Sequence, residues 1–185
     1  VAAARGNERA ARALLVAGAN LHTVDRIGRG ALYKAAEEGH HHMVGDLLAH
    51  GAFPNAKDDN EEASLHIAAE KGHALTVSTL LERGADKDIL RCDGCTPLFL
   101  AVLNRHLGVA EQLLRAGVDP NVYPSESAYP VLPLHEAAYR GNLEMVLLLL
   151  RHGADASAVD EGGSTALVHA SIREGGQESI IRALL

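Results

Sequence analysis

Residues 96–117 read Thr-Pro-Leu-Phe-Leu-Ala-Val-Leu-Asn-Arg-His-Leu-Gly-Val-Ala-Glu-Gln-Leu-Leu-Arg-Ala-Gly. This stretch spells two short helices joined by a turn. Thr96 suits the N-cap, because its hydroxyl accepts one of the N–H groups that a first helical turn leaves unpaired. Pro97 then falls at the first helical position, where its missing N–H costs nothing. A polar turn closes the first helix, as Glu38-Gly39-His40, Lys71-Gly72-His73 and Arg140-Gly141-Asn142 do elsewhere. Glycine there takes the left-handed conformation that ends a helix. The second helix carries apolar residues on one face, in the pattern Val44, Leu47, Leu48, again Val77, Leu80, Leu81, and again Val146, Leu149, Leu150. Gly51, Gly84, Gly117 and Gly153 stop it.

The pattern recurs along the chain. Leu-Leu-x-x-Gly ends at Gly18, Gly51, Gly84, Gly117 and Gly153, with spacings of 33, 33, 33 and 36. Leu32, Leu65, Leu98, Leu134 and Leu167 keep the same period, and so do the small pairs from Ala2-Ala3 to Ala170-Ser171. Between units, stretches such as Ala85–Gly94 are extended and turn-rich and read as short hairpins. The expected fold is therefore an all-α solenoid of stacked helix-turn-helix units with short β-hairpin connections, forming a single domain over residues 1–185. The units run approximately 1–24 (partial), 25–57, 58–90, 91–126, 127–159 and 160–185 (partial). The junction 123–132 is three residues longer than the others, and the turn around Glu174–Gln177 is about two residues longer.

A 33-residue period with a Thr-Pro-Leu-His-x-Ala signature resembles the ankyrin repeat. The resemblance covers essentially the whole chain. Each copy is degenerate: Thr96-Pro97-Leu98-Phe99, Ala63-Ser64-Leu65-His66, Leu132-Pro133-Leu134-His135 and Thr165-Ala166-Leu167-Val168, as in a natural protein and not a consensus design. The chain starts within a first helix and stops at Leu184-Leu185 within a second, without clear polar terminal faces, so a segment of a longer protein is expected. The resemblance implies that His66 and His135 hydrogen-bond backbone between units. It also implies that a partner protein binds the concave face, through hairpin tips and the exposed ends of first helices. Those positions hold Arg26, Arg29, Glu37 and Glu38 in the second unit and Asp59, Glu62, Glu70 and Lys71 in the third. They continue as Cys92, Asp93, Cys95, Leu103 and Asn104, then Tyr139 and Arg140, then Ile172 and Arg173.

Composition narrows the functions. The chain has 185 residues, 47% hydrophobic, including 31 Ala and 27 Leu but only 2 Phe and no Trp, which suits closely packed helices. A net charge of -7 argues against a nucleic-acid binder, which needs a basic surface. Val146–Leu150, the longest strongly apolar stretch, is far too short to span a membrane, so direct membrane insertion is not expected. Two cysteines make no disulfide framework and fit an intracellular, cytoplasmic or nuclear, setting.

Catalytic, cofactor and metal sites are not expected. Cys92-Asp93-Gly94-Cys95 is a single C-x-x-C without the second ligand pair of a zinc site, and His40-His41-His42 lacks the spacing that puts ligands on one helix face. His40, His73 and His106 share one repeat position in the inter-helix turn. No nucleophile motif or phosphate loop appears. Three of the four tyrosines, Tyr123, Tyr129 and Tyr139, lie in or beside the long junction. With Arg140 they either centre a binding patch or pack the loop onto its own unit. The acidic run Asp58, Asp59, Glu61, Glu62 either steers a basic partner or is a solvated finger. Asn121, in Leu113…Asp119-Pro120-Asn121, resembles hydroxylated asparagines of the family, or else bonds local backbone as Asn55 would. The expected function is a monomeric protein-interaction module. The alternatives are a recognition segment of a larger protein, such as a ubiquitin-ligase adaptor, and a structural spacer.

Overall fold

The computed structural model describes residues 7–122, 131–172 and 177–185. Among these are α1 (Glu8–Val16), α2 (Ala31–Glu37), α3 (His41–Ala49), α4 (Ser64–Lys71), α5 (Ala74–Glu82), α6 (Pro97–Leu103), α7 (Leu107–Arg115), α8 (Pro133–Tyr139), α9 (Leu143–Arg151), α10 (Ala166–Ile172) and α11 (Glu178–Leu184). The even-numbered helices start at Ala31, Ser64, Pro97, Pro133 and Ala166, at the spacing of the leucine series. They lie side by side as an inner layer, α2 on α4, α4 on α6, α6 on α8 and α8 on α10. The odd-numbered helices stack in the same order as an outer layer, and each inner helix packs on the outer helix that follows it.

The small pairs make this close stacking possible. Ala35, Ala36, Ala68, Ala69, Ala101, Val102, Ala137, Ala138 and Ala170 are all buried between helices. In the second to fifth units the first leucine of each Leu-Leu pair goes deeper than the second: Leu47, Leu80, Leu113 and Leu149 are buried, while Leu48, Leu81 and Leu150 pack partly exposed and Leu114 is 4% exposed. In the first unit the order is reversed, with Leu15 buried and Leu14 exposed. Burial of each such side chain contributes about 2 kcal/mol.

The hairpins are minimal. Single antiparallel bridges join Val24 to Gly30, Lys57 to Ala63 and Val159 to Thr165. A carboxylate organises each of these turns: Asp25 Oδ1 accepts from the N–H of Ile27 and Arg29, Asp58 Oδ1 from Asn60 and Glu62, and Asp160 Oδ1 from Ser164. In the fourth unit Arg91 occupies that position, and Asp93 Oδ1 accepts from Cys95 N–H instead, at 3.1 Å.

Thr96 caps α6 as expected, accepting from Phe99 N–H at 3.1 Å, with Pro97 in the first turn. Leu132 has no hydroxyl, and α8 starts without a side-chain cap.

The inter-helix turns stack by a ladder of glycine and histidine. His73 donates through Nε2 to Glu37 O at 3.0 Å, and His106 to Glu70 O at 2.9 Å. Each imidazole lies over the glycine of the preceding turn, so that a Cβ on Gly39 would come within 2.6 Å of His73, and one on Gly72 within 2.7 Å of His106. Both glycines also have positive φ, 74° and 83°. The next unit carries Arg105 in the glycine position, at φ 62°. There the following histidine is replaced by Asn142, which caps α9 by accepting from Met145 N–H at 3.2 Å. The two substitutions go together, because a side chain on one turn removes the room for a ring on the next.

Candidate functional site

The inner face is built from three repeat positions. The first follows the leucine series and reads Tyr33, His66, Phe99, His135, Val168. His66 Nδ1 accepts from Ala63 N–H at 3.1 Å, and its Nε2 donates to Ile89 O, in the next hairpin, at 3.0 Å. Burial lowers its pKa to about 4, and Nδ1 can remain an acceptor only while the ring is neutral. His135 Nε2 reaches Ala158 O and Ser164 O of the next hairpin at 3.2 and 3.0 Å. Its pKa is also lowered, by burial first and then by His169. Both bond backbone between units, as the family resemblance implied. Phe99 fills the same position with apolar contact. It forms a satellite cluster with buried Cys95 and Leu100, against which Leu103 and Val131 pack.

Tyr33 solves the position in a third way. Its hydroxyl donates to Glu62 Oε2 at 2.5 Å in the next hairpin. Burial, and then the Glu62 carboxylate, push its pKa up. Arg29 lies over the Tyr33 ring, 4.5 Å from its centroid, and donates to Asp58 Oδ2 at 3.0 Å. Glu62 in turn accepts from Arg91 at 3.0 Å, and Arg91 grips Asp93 with two parallel bonds of 3.0 and 2.7 Å and reaches Glu70 at 3.5 Å. Arg91 pulls Asp93 down to about 2. Burial works against ionising Asp58, but the Glu62 N–H and Arg29 outweigh it and hold its pKa below the usual carboxylate value. Charge-assisted bonds of this kind, half out of water, fix three hairpins in register.

This latch corrects the expectation for the acidic hairpin. Asp58 and Glu62 are 7% and 6% exposed and committed to neighbouring units, so they are neither a solvated finger nor contacts open to a partner. Asp59 does lie at the surface. Cys95, expected at a variable hairpin position, is fully buried; Cys92 is exposed. Sequence reasoning missed Tyr33 and Arg91, yet a signal existed. Arg29 and Glu62 share one repeat position and Asp58 and Arg91 another, and the two ion pairs Arg29–Asp58 and Glu62–Arg91 each span 29 residues with the signs reversed.

The second position reads Glu37, Glu70, Leu103, Tyr139, Ile172, and the third Glu38, Lys71, Asn104, Arg140, Arg173. Tyr139 is 50% exposed and meets the edge of His169, which pairs with Asp160 at 2.7 Å. Arg140 pairs with Glu136. Arg26, Glu38, Lys71 and Asn104 are exposed, while Arg29, Glu37, Glu70, Asp93 and Leu103 are half-buried. Tyr123, Tyr129, Arg173 and most of the two lengthened segments lie outside the described residues, which leaves Tyr139 as the described member of the tyrosine set. Asn121 ties adjacent units together: its Nδ2 donates to Gly153 O at 2.9 Å and its Oδ1 accepts from Asp155 N–H at 2.8 Å. Asn55 accepts from Asp86 N–H in the same way. These bonds reach the next unit and not the local backbone.

A family model for ankyrin repeats, in three copies, matches residues 1–91, 47–123 and 127–185. The chain belongs to the ankyrin-repeat family. A search of curated proteins returned no match. Ankyrin repeats are in general protein-interaction modules. Among the described residues no ankyrin helix is long and apolar enough to cross a membrane, and no three His, Cys, Asp or Glu side chains converge as a metal site requires.

Proposed function

We propose that this ankyrin-repeat chain is a non-catalytic, monomeric interaction module that presents its inner face to a partner protein. The main support is a division of labour among the side chains of that face. Those that hold the units together are largely buried, whereas the second to fifth units keep others exposed at the surface: Arg26 and Glu38, Asp59 and Lys71, Asn104, Tyr139. A preformed surface of this kind loses little conformational freedom on binding.

The net charge of -7 supports a protein partner over a nucleic acid, and the cysteine content supports an intracellular setting.

Affinity capture with the protein tests the proposal. Tyr139→Ala with Asn104→Ala should remove specific partners. Leu147→Ala on the outer layer should retain them. Loss with the outer variant alone would reverse the assignment.

A further inference from the structure

The inner face changes character half-way along. The repeat position that begins as Glu37 and Glu70 continues as Leu103, Tyr139 and Ile172. Because α6, α8 and α10 pack side by side, these last three form one apolar line across three helices. Ile172 is 65% exposed and Tyr139 half exposed, while Leu103 rests on the Phe99 cluster. Large side chains so exposed at one repeat position contribute little to the fold.

A cationic rim borders this line, at the ends of the inner helices. Arg105 has no ion-pair partner among the described residues and is held at a positive φ that the glycines of other units adopt without strain. Lys71 reaches only Glu70, at 3.7 Å, and stays half exposed. Arg140 pairs with Glu136 yet keeps part of its guanidinium in water. These cations stand out in a chain whose net charge is -7.

We infer that the inner face of α6, α8 and α10 docks an acidic, apolar peptide segment of a protein partner. Aromatic or aliphatic side chains of the segment lie on Leu103, Tyr139 and Ile172, and its carboxylates face Arg105 and Arg140. Its acidic end is turned away from α2, where Glu37 and Glu38 would repel it. This rests on the interaction-module proposal and adds the chemistry of the partner.

Selection from a displayed library of random short peptides tests it, with the whole chain as bait. Enriched peptides should combine net negative charge with aromatic or aliphatic residues, and should bind more weakly as salt rises. Tyr139→Ala with Ile172→Ala should weaken them by about tenfold or more. Arg105→Gly should weaken them severalfold, and this variant relieves the positive φ, so the fold is retained. Melting followed by circular dichroism checks each variant.

Enrichment of basic or purely polar peptides would overturn the inference. So would peptides whose binding is lost with Arg26→Ala and Glu38→Ala but not with the variants above, although these would leave an inner-face interaction module standing. Peptides insensitive to every inner-face substitution, or no enrichment at all, would count against both.

Discussion

The second and third units differ from the fourth to sixth at three levels. In the earlier units the turns stack by glycine and histidine; at the next turn Arg105 and Asn142 replace them. The earlier hairpins are joined by Arg29–Asp58 and Glu62–Arg91, whereas in the fourth unit Cys95, Phe99 and Leu100 make apolar contact and beyond it His135 bonds the backbone of the next hairpin. The inner line passes from Glu37 and Glu70 to Leu103, Tyr139 and Ile172. The period itself stretches by three residues in the same region. The solenoid geometry requires each junction to be satisfied, but not by any particular chemistry. Changes therefore come in pairs across a junction, and the solvent face is left free to differ from one half to the other.

The largest expected effect lies in the apolar half. Phe99→Ala should cost about 4 kcal/mol in urea unfolding, with little dependence on salt, because it leaves a cavity where Cys95 and Leu100 pack.

The same repeat position in the charged half holds His66 and should respond to acid. With its folded pKa lowered to about 4, the unfolded chain binds the proton first as pH falls. The stabilisation is complete above the unfolded value of 6.5 and is lost progressively down to about pH 4, by about 3 kcal/mol in all. His135 adds a loss of the same sign. His66→Phe should flatten the curve in this window, and an unchanged pH profile would remove His66 from the account.

Glu62→Ala should cost about 2 kcal/mol. Arg91 keeps Asp93 and Arg29 keeps Asp58, so the main loss is the buried Tyr33 hydroxyl left without its acceptor. Adding Tyr33→Phe should recover much of that cost, and full additivity of the two changes would break the latch description. The smallest effect is a gain: Arg105→Gly should raise stability by about 1 kcal/mol by relieving the left-handed residue.

Much of the fold was legible because its signals repeat. The leucine series placed the inner helices, the Thr96-Pro97 pair marked a helix start, and the signature histidines found their backbone partners. The latch was not legible along the chain, since Asp58 and Glu62 sit in a run of acids that looks solvated. It becomes visible only when repeat positions are compared between units, where Arg29 and Asp58 reappear as Glu62 and Arg91 with signs exchanged. Tyr33 and Phe99 were obscured for a related reason. They occupy the histidine position but meet its requirement with a side-chain acceptor and with apolar packing. Of the proposed binding face, the exposure of individual side chains was not legible. Glu62, on a hairpin, and Tyr139, at the end of a first helix, were both expected among the partner-binding positions, yet one is 6% and the other 50% exposed.

The division between the two halves predicts where a partner touches. Placing a photo-crosslinking amino acid at position 139, and in separate variants at positions 37 and 75, tests this in cells. The account predicts a discrete crosslinked species from position 139 and none of comparable yield from position 37, on the acidic inner half, or from position 75, on the outer layer. Crosslinking from 37 or 75 with none from 139 would contradict it.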